Sequence, residues 1–296
     1  MISKLQGIRN GILLSLLATF FFSLTNLFTK LISDKMTFTE IAFFRSFIGL
    51  VIVSCYMLYN GYSFKAQHKK VLFLRGVLGG VALLCSFYAI SRIKLGEVSI
   101  LFQLSPVFVA IFANFILGEK LPRFFYLLLV SSLVGCIMVI KPSFSNLGNF
   151  PAVMAVLSAV LAALAYVCIR ALSKQHKTHM IVLYFSLTAA MVPLPWSSYF
   201  TIPSAYQFIA LLMIGVFATI AQFFMTKAYG LEKAGIVSMV GYSGVFFNVF
   251  WGVLIWKEYL DVYSIIGGVI ILFSCLTLSL IVYKDRKEIV SVPLID

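Results

Sequence analysis

The chain has 296 residues, 61% of them hydrophobic and 11% charged, with a formal net charge of +13 and a mean hydropathy of +1.03. Soluble domains carry about 45–50% apolar residues, so a water-soluble enzyme or binding module is excluded and the chain reads as an all-α integral membrane protein. Continuous apolar runs, in place of alternating segments of about ten residues, exclude a transmembrane β-barrel.

Apolar windows near the ~20 residues that span a bilayer as a helix recur over 11–32, 38–59, 71–91, 95–117, 123–140, 151–172, 179–199, 206–229, 234–256 and 261–283. The spacing predicts ten helices joined by short loops. The first run carries Asn26 and is too long for the apolar region of a cleavable signal peptide; it is expected to stay as the first span. The second carries Arg45 about seven residues in, roughly 10 Å deep at ~1.5 Å per residue. A charge costs around 2.5–3.5 kcal/mol at a helix centre, so Arg45 either meets a substrate or coupling ion, or snorkels or pairs with Glu40. The third span carries Tyr88, with Arg75 near its start read as a topology anchor.

The fourth span holds Gln103, Ser105 and Pro106 and closes at Glu119. Proline removes one helical hydrogen bond and clashes with the preceding turn, which predicts a kink near Leu101-Phe102. Irregular backbone is tolerated in a membrane where it is buried or lines a wet cavity; the kink is either part of a site or an inert feature of packing. Tyr166 lies in the sixth span, where Ala155, Ala159 and Ala163 permit close helix approach. Gln222 lies in the eighth. The ninth carries Gly241, Tyr242, Gly244, Asn248 and Trp251 and closes at Glu258.

At alternate helix ends, sixteen of the 23 Lys and Arg residues fall on one side and six on the other, Arg45 lying between. The positive-inside rule puts both termini in the cytoplasm. The basic excess is then a topology signal, which argues against a nucleic-acid partner. The five cysteines lie inside apolar runs with no CxxC, and His68, His176 and His179 fall in loops without metal-ligand spacing. No metal, cofactor or disulfide is expected, and the absence of paired intramembrane aspartates argues against an intramembrane enzyme.

Shifting the chain by 139 positions aligns Gly76 with Gly215, Ala89 with Ala228, Lys94 with Lys233, Phe108 with Phe247, Glu119 with Glu258, and Gly96-Glu97-Val98-Ser99 with Gly235-Ile236-Val237-Ser238. Such self-similarity marks an internal repeat, with halves at 1–145 and 146–296. Five helices per half is odd, so the second half is inverted in the membrane, as in secondary transporters that expose a central site to each side in turn.

The glycine-rich Leu74-Arg75-Gly76, the GEVS…SPVF…GEKL run, its echo GIVS…WKEYL, and Phe43-Phe44-Arg45 resemble the drug/metabolite transporter superfamily, specifically its EamA-type ten-helix members. The second half departs from the pattern: Val245 stands where the fourth span has Pro106, and Trp256-Lys257-Glu258 where it has Leu-Gly-Glu. If the proline governs gating, the halves should move unequally. The resemblance implies a cavity lined mainly by helices one, three, four, six, eight and nine, with helix two peripheral. It also implies transport of small organic solutes, among which family members between them carry amino acids, nucleotide sugars, nucleoside-related compounds and drugs.

On those helices Asn26, Tyr88, Gln103, Ser105, Tyr166, Gln222, Tyr242, Asn248 and Trp251 form the candidate substrate cavity, while Arg45, Pro106, Glu119 and Glu258 are candidate gating or structural residues. Each polar tip is, taken singly, as well explained by an interhelical hydrogen bond worth roughly 0.6 kcal/mol. No acidic residue joins them, which suits a zwitterionic or anionic metabolite better than a cationic drug. The expected function is secondary transport of such a solute by alternating access in the inner membrane, with multidrug efflux as the alternative. The expected partners are the solute and the bilayer, and monomer and homodimer both stay open.

Overall fold

The computed structural model describes residues 2–66, 69–90, 92, 101–121, 123–140, 150–257 and 262–291. Within these the helices are α1 (Ile2–Ile32), α2 (Phe38–Tyr59), α3 (Lys69–Ile90), α4 (Ser105–Leu117), α5 (Arg123–Ile140), α6 (Phe150–Leu172), α7 (Thr178–Met191), α8 (Ala205–Leu231), α9 (Ala234–Val240), α10 (Ser243–Trp256) and α11 (Val262–Ser291). The ninth predicted span is α9 and α10 in series. Six segments are long and apolar enough to cross a membrane and four more are shorter apolar helices, so the ten expected helices are accounted for. The seventh is shorter than its apolar window: α7 stops at Met191, and Pro193 and Pro195 divert the chain into a 3-10 turn over Leu194–Tyr199. Proline has no N–H to continue an α-helix.

α2 begins with a capping box, in which the Thr37 side chain accepts from the Glu40 N–H and a Glu40 oxygen accepts from the Thr37 N–H at 2.7 Å. The other Glu40 oxygen accepts from the N–H and hydroxyl of Thr201, tying this end to the segment before α8. Glu40 therefore makes no pair with Arg45, because its acceptor sites are filled by groups nearer the helix end.

The helices pack as a set related across the two halves. α1 lies on α8 as α3 lies on α6, α2 lies on α8 as α7 lies on α3, and α5 pairs with its counterpart α11. Close crossings fall at small residues: a Cβ on Gly135 of α5 would sit 2.8 Å from the Gly267 carbonyl of α11. Large apolar side chains such as Phe115, Phe124, Phe273 and Leu280 point outward, as a lipid-facing surface requires.

The fourth and ninth spans both break in mid-course. Leu101 and Phe102 are helical, Gln103 and Leu104 form a turn, and α4 starts at Ser105 with Pro106 in its first turn. Proline is at home there, since the first N–H groups of a helix lack intrahelical partners in any case. Gly241 and Tyr242 form the matching turn between α9 and α10, and no proline stands near it. The expected kink of the fourth span thus falls at Gln103-Leu104, two residues beyond Leu101-Phe102, and its counterpart forms without a proline. Both breaks are runs of i→i+3 bonds, Leu104 to Leu101 and Val107 to Leu104 in one, Gly241 to Ser238 and Tyr242 to Met239 in the other.

The far ends match as well. Gly118 closes α4 in the left-handed conformation at φ 64°, with its N–H on the Ala113 carbonyl; Lys257 closes α10 at φ 54°, with its N–H on the Gly252 carbonyl. Glycine adopts this conformation freely, and a residue with a Cβ gives up about 1 kcal/mol. Lys257→Gly is accordingly expected to raise the unfolding free energy by about 1 kcal/mol, read as a higher midpoint in thermal unfolding of the detergent-purified protein.

Candidate functional site

Each broken helix leaves backbone carbonyls without their usual amide partners, and a buried unpaired carbonyl is costly. The Gly241 N–H bonds to Ser238, so the Val237 carbonyl is free; Ser15 of α1 donates to it at 3.0 Å. Ser243 donates to the Val240 carbonyl at 2.7 Å and meets Thr19 of α1 at 3.0 Å. On the other side, the Tyr242 hydroxyl donates to the Gln103 carbonyl at 3.0 Å. Tyr242 and Gln103 are separated by the repeat offset of 139 positions. Two equivalent positions touch only where the pseudo-twofold axis passes, so the breaks meet at the centre of symmetry.

Six of the expected cavity residues lie at these breaks or along the α1–α10 contact that runs from them. Gln103 and Tyr242 join as described. Asn26 donates to Asn248 at 3.3 Å on an exposed face between α1 and α10, and the Trp251 indole donates to Ser23 at 3.0 Å. Phe20 lies against both Phe247 and Trp251. Pro106 is buried, and the Ser105 hydroxyl is buried with no hydrogen-bond partner among the described residues.

The remaining expected residues lie elsewhere. Tyr88 sits near the end of α3, edge-on to Phe38 and Phe150. Tyr166 stacks on Tyr229, ring centroids 5.3 Å apart. Gln222 lines a small chamber with Arg45, Ser46, Gly49, Phe185, Ser186, Ala218 and Thr219. Its amide is 3.4 Å from the Thr226 hydroxyl. One polar ring was expected; the structure forms two clusters, because the rotation of each helix about its own axis decides which way a polar side chain points.

The structure corrects the placement of Arg75. α2, expected at the periphery, and α7 supply five of the chamber's eight lining residues. Arg75, read as a topology anchor, is 1% exposed, and its guanidinium carbon lies 3.8 Å from the centre of the Phe185 ring. Gly79, one turn on, makes room: a Cβ there would sit 2.8 Å from Arg75 Nη1. The signal for Arg75 was present in the sequence as a charge inside an apolar run. It was discounted because the span was taken to begin at residue 71, and α3 begins two residues earlier.

Glu119 occupies a third place, at the helix ends. Its Oε1 accepts from Arg170 Nε at 2.7 Å and its Oε2 from the Ala234 N–H at 2.7 Å, while Arg170 Nη1 donates to the Tyr229 and Gly230 carbonyls. One ion pair thus pins the ends of α4, α6 and α8 to the start of α9. Glu258, its repeat counterpart, lies outside the described residues. Among the described residues no group of three His, Cys, Asp or Glu side chains could hold a metal ion.

The EamA-like transporter family matches residues 9–141 and 149–280, one match in each half. The chain is 42% identical over 278 residues to the pseudopaline exporter CntI of Pseudomonas aeruginosa (strain UCBPP-PA14), covering 93% of this chain and 98% of that one. It is 27% identical to solute carrier family 35 member G1 of Homo sapiens, over 89% of this chain and 77% of the other. It is 24% identical to the S-adenosylmethionine uptake transporter of Rickettsia prowazekii, with 95% of each covered. A solved crystal structure superposes with a TM-score of 0.79 over 92% of this chain and 97% of its own, at 17% identity, and speaks for the fold alone. With ten apolar helices and a family match through both halves, the chain is a multi-span membrane transporter of the drug/metabolite transporter superfamily and belongs to its EamA-like transporter family.

Proposed function

We propose that the protein carries a zwitterionic or anionic small organic metabolite, such as an amino acid or a nucleoside-like solute, across the inner membrane by alternating access. The moving units are the halves 1–145 and 146–296, with both termini in the cytoplasm. The observation that carries this reading is the Tyr242–Gln103 contact, where two broken helices meet at equivalent positions. A break on the symmetry axis lets either half tilt about the same point, and the freed carbonyls already have side-chain partners that can exchange.

The substrate class rests on charge. Glu119 is paired with Arg170, and Glu40 is occupied by Thr37 and Thr201. Neither polar cluster contains a carboxylate among the described residues, so a cation would find no counter-charge there. Export is the favoured direction, since 42% identity to an exporter exceeds 24% identity to an uptake transporter.

The test is counterflow in proteoliposomes. Vesicles loaded with unlabelled amino acids, nucleosides or S-adenosyl compounds should accumulate the labelled form saturably for one of these classes. Movement of quaternary ammonium dyes alone would replace this reading with multidrug efflux. No saturable flux of any solute would remove it.

A further inference from the structure

Among the described residues, the chamber between α2, α7 and α8 and the α3 side chain beside it hold buried polar atoms with no partner. They are Arg45 Nε, the Ser46 hydroxyl, and Nε and Nη1 of Arg75. Arg75 is 1% exposed and Ser46 5%. Other hydroxyls nearby are satisfied: Thr219 donates to the Gly215 carbonyl at 2.7 Å and Thr188 to the Tyr184 carbonyl at 2.8 Å. The Arg75 guanidinium packs on Phe185, which lines the chamber together with Arg45.

Arg75 is buried, Arg45 is half-buried with its Nε enclosed, and among the described residues no carboxylate pairs with either; a charge so placed opposes folding. Removing one partner of a buried charge pair is strongly destabilising because the other is left uncompensated, and here both stand in that condition. Guanidinium donors form a planar fork that matches carboxylate and phosphate, and they offer no acceptor to a cation. A cluster made of donors calls for a ligand made of acceptors.

We propose that Arg45, Ser46 and Arg75 form the binding site for an oxyanion group, carboxylate or phosphate, of the transported solute. The site rests on the transport reading above for its physiological ligand, and the oxyanion chemistry stands on the donors themselves. Its free volume is about 10 Å³, near the space of a single water, so the arginines receive one end of the solute and the rest extends out of the chamber. Phe185 packs against the Arg75 guanidinium, and Gln222, 5% exposed, belongs to the α8 wall.

The experiment is thermal unfolding of the detergent-purified full chain, titrated with sodium acetate, sodium phosphate or sodium chloride at constant ionic strength. Tetramethylammonium chloride serves as the cation control. Acetate or phosphate should raise the wild-type midpoint by about 3 °C over chloride, since roughly 1 kcal/mol moves a domain of 150–250 residues by 2–4 °C. A response to acetate alone assigns a carboxylate, to phosphate alone a phosphate, and to both a general oxyanion site. Arg45→Met and Arg75→Met should lose the response. Both should also unfold in chloride at or above the wild-type midpoint, because each removes a buried unpaired charge.

Equal stabilisation by chloride, or an oxyanion response retained in both variants, overturns the proposal. So does a large fall in the chloride midpoint of both variants, which would mark the arginines as structural. In counterflow, unchanged flux and affinity in Arg75→Met sinks the arginine site and leaves the transport reading standing. An intact oxyanion response in a protein with no flux supports the site while removing the transport reading.

Discussion

Replacing Glu119 with alanine is expected to lower the unfolding free energy by about 3 kcal/mol, the low end of the cost of stranding one member of a buried ion pair. The side chains of Arg170 and Glu119 are only 17% and 12% exposed and meet at 2.7 Å, so solvent cannot replace the lost partner. The same substitution strands the Ala234 N–H, whose acceptor is the second Glu119 oxygen. Thermal unfolding of Glu119→Ala, Arg170→Ala and the double variant measures the effect. The double variant should be less destabilised than the sum of the two, because the second removal takes away the stranded charge. Additive losses would show that the pair does not hold the helix ends together. In counterflow the single variants should also transport poorly, since α4, α6, α8 and α9 then lose their common anchor.

Tyr242→Phe is expected to cost about 1–3 kcal/mol, the penalty for leaving a buried acceptor unpaired. Phenylalanine keeps the ring of a fully buried side chain and removes only the hydroxyl that reaches the Gln103 carbonyl. Under the alternating access proposed above, losing a contact that joins the two halves should also move the balance between the two access states. Every 1.4 kcal/mol corresponds to a tenfold change in population, so the maximal counterflow rate should change by about tenfold. An unchanged midpoint together with an unchanged rate would show that the hydroxyl is a bystander.

Paired breaks in the fourth and ninth spans were only half legible. Pro106 announced the first, and its replacement by Val245 suggested that the second half lacked one. The second break is instead built from Gly241, from the Ser15 hydroxyl of α1 on the Val237 carbonyl, and from the Ser243 hydroxyl, which donates to the Val240 carbonyl and meets Thr19 of α1. Nothing in the local pattern of α9 and α10 marks Ser15 and Thr19 as their partners, since these lie more than 200 residues away in the chain. A similar gap explains Arg45. Glu40 is five residues before it and looked available, yet the capping box at Thr37 and the backbone at Thr201 claim its oxygens first.

The class, the ten apolar helices, the repeat at an offset of 139 and the family resemblance were all legible in the order of residues along the chain. They depend on hydrophobicity, which a window of about 20 residues records, and on residue identity. Which polar groups meet was not legible there. A helix points successive side chains around its axis, so the direction of Arg75 or Gln222 depends on how α3 and α8 are turned against their neighbours. That turn is set by close crossings such as Gly76 on α7 and Gly215 on Ile48 of α2. Arg45 and Arg75 come from different helices, each readable as an anchor or a snorkelling charge, yet packing α2, α3, α7 and α8 together sets both against Phe185 and the chamber it lines.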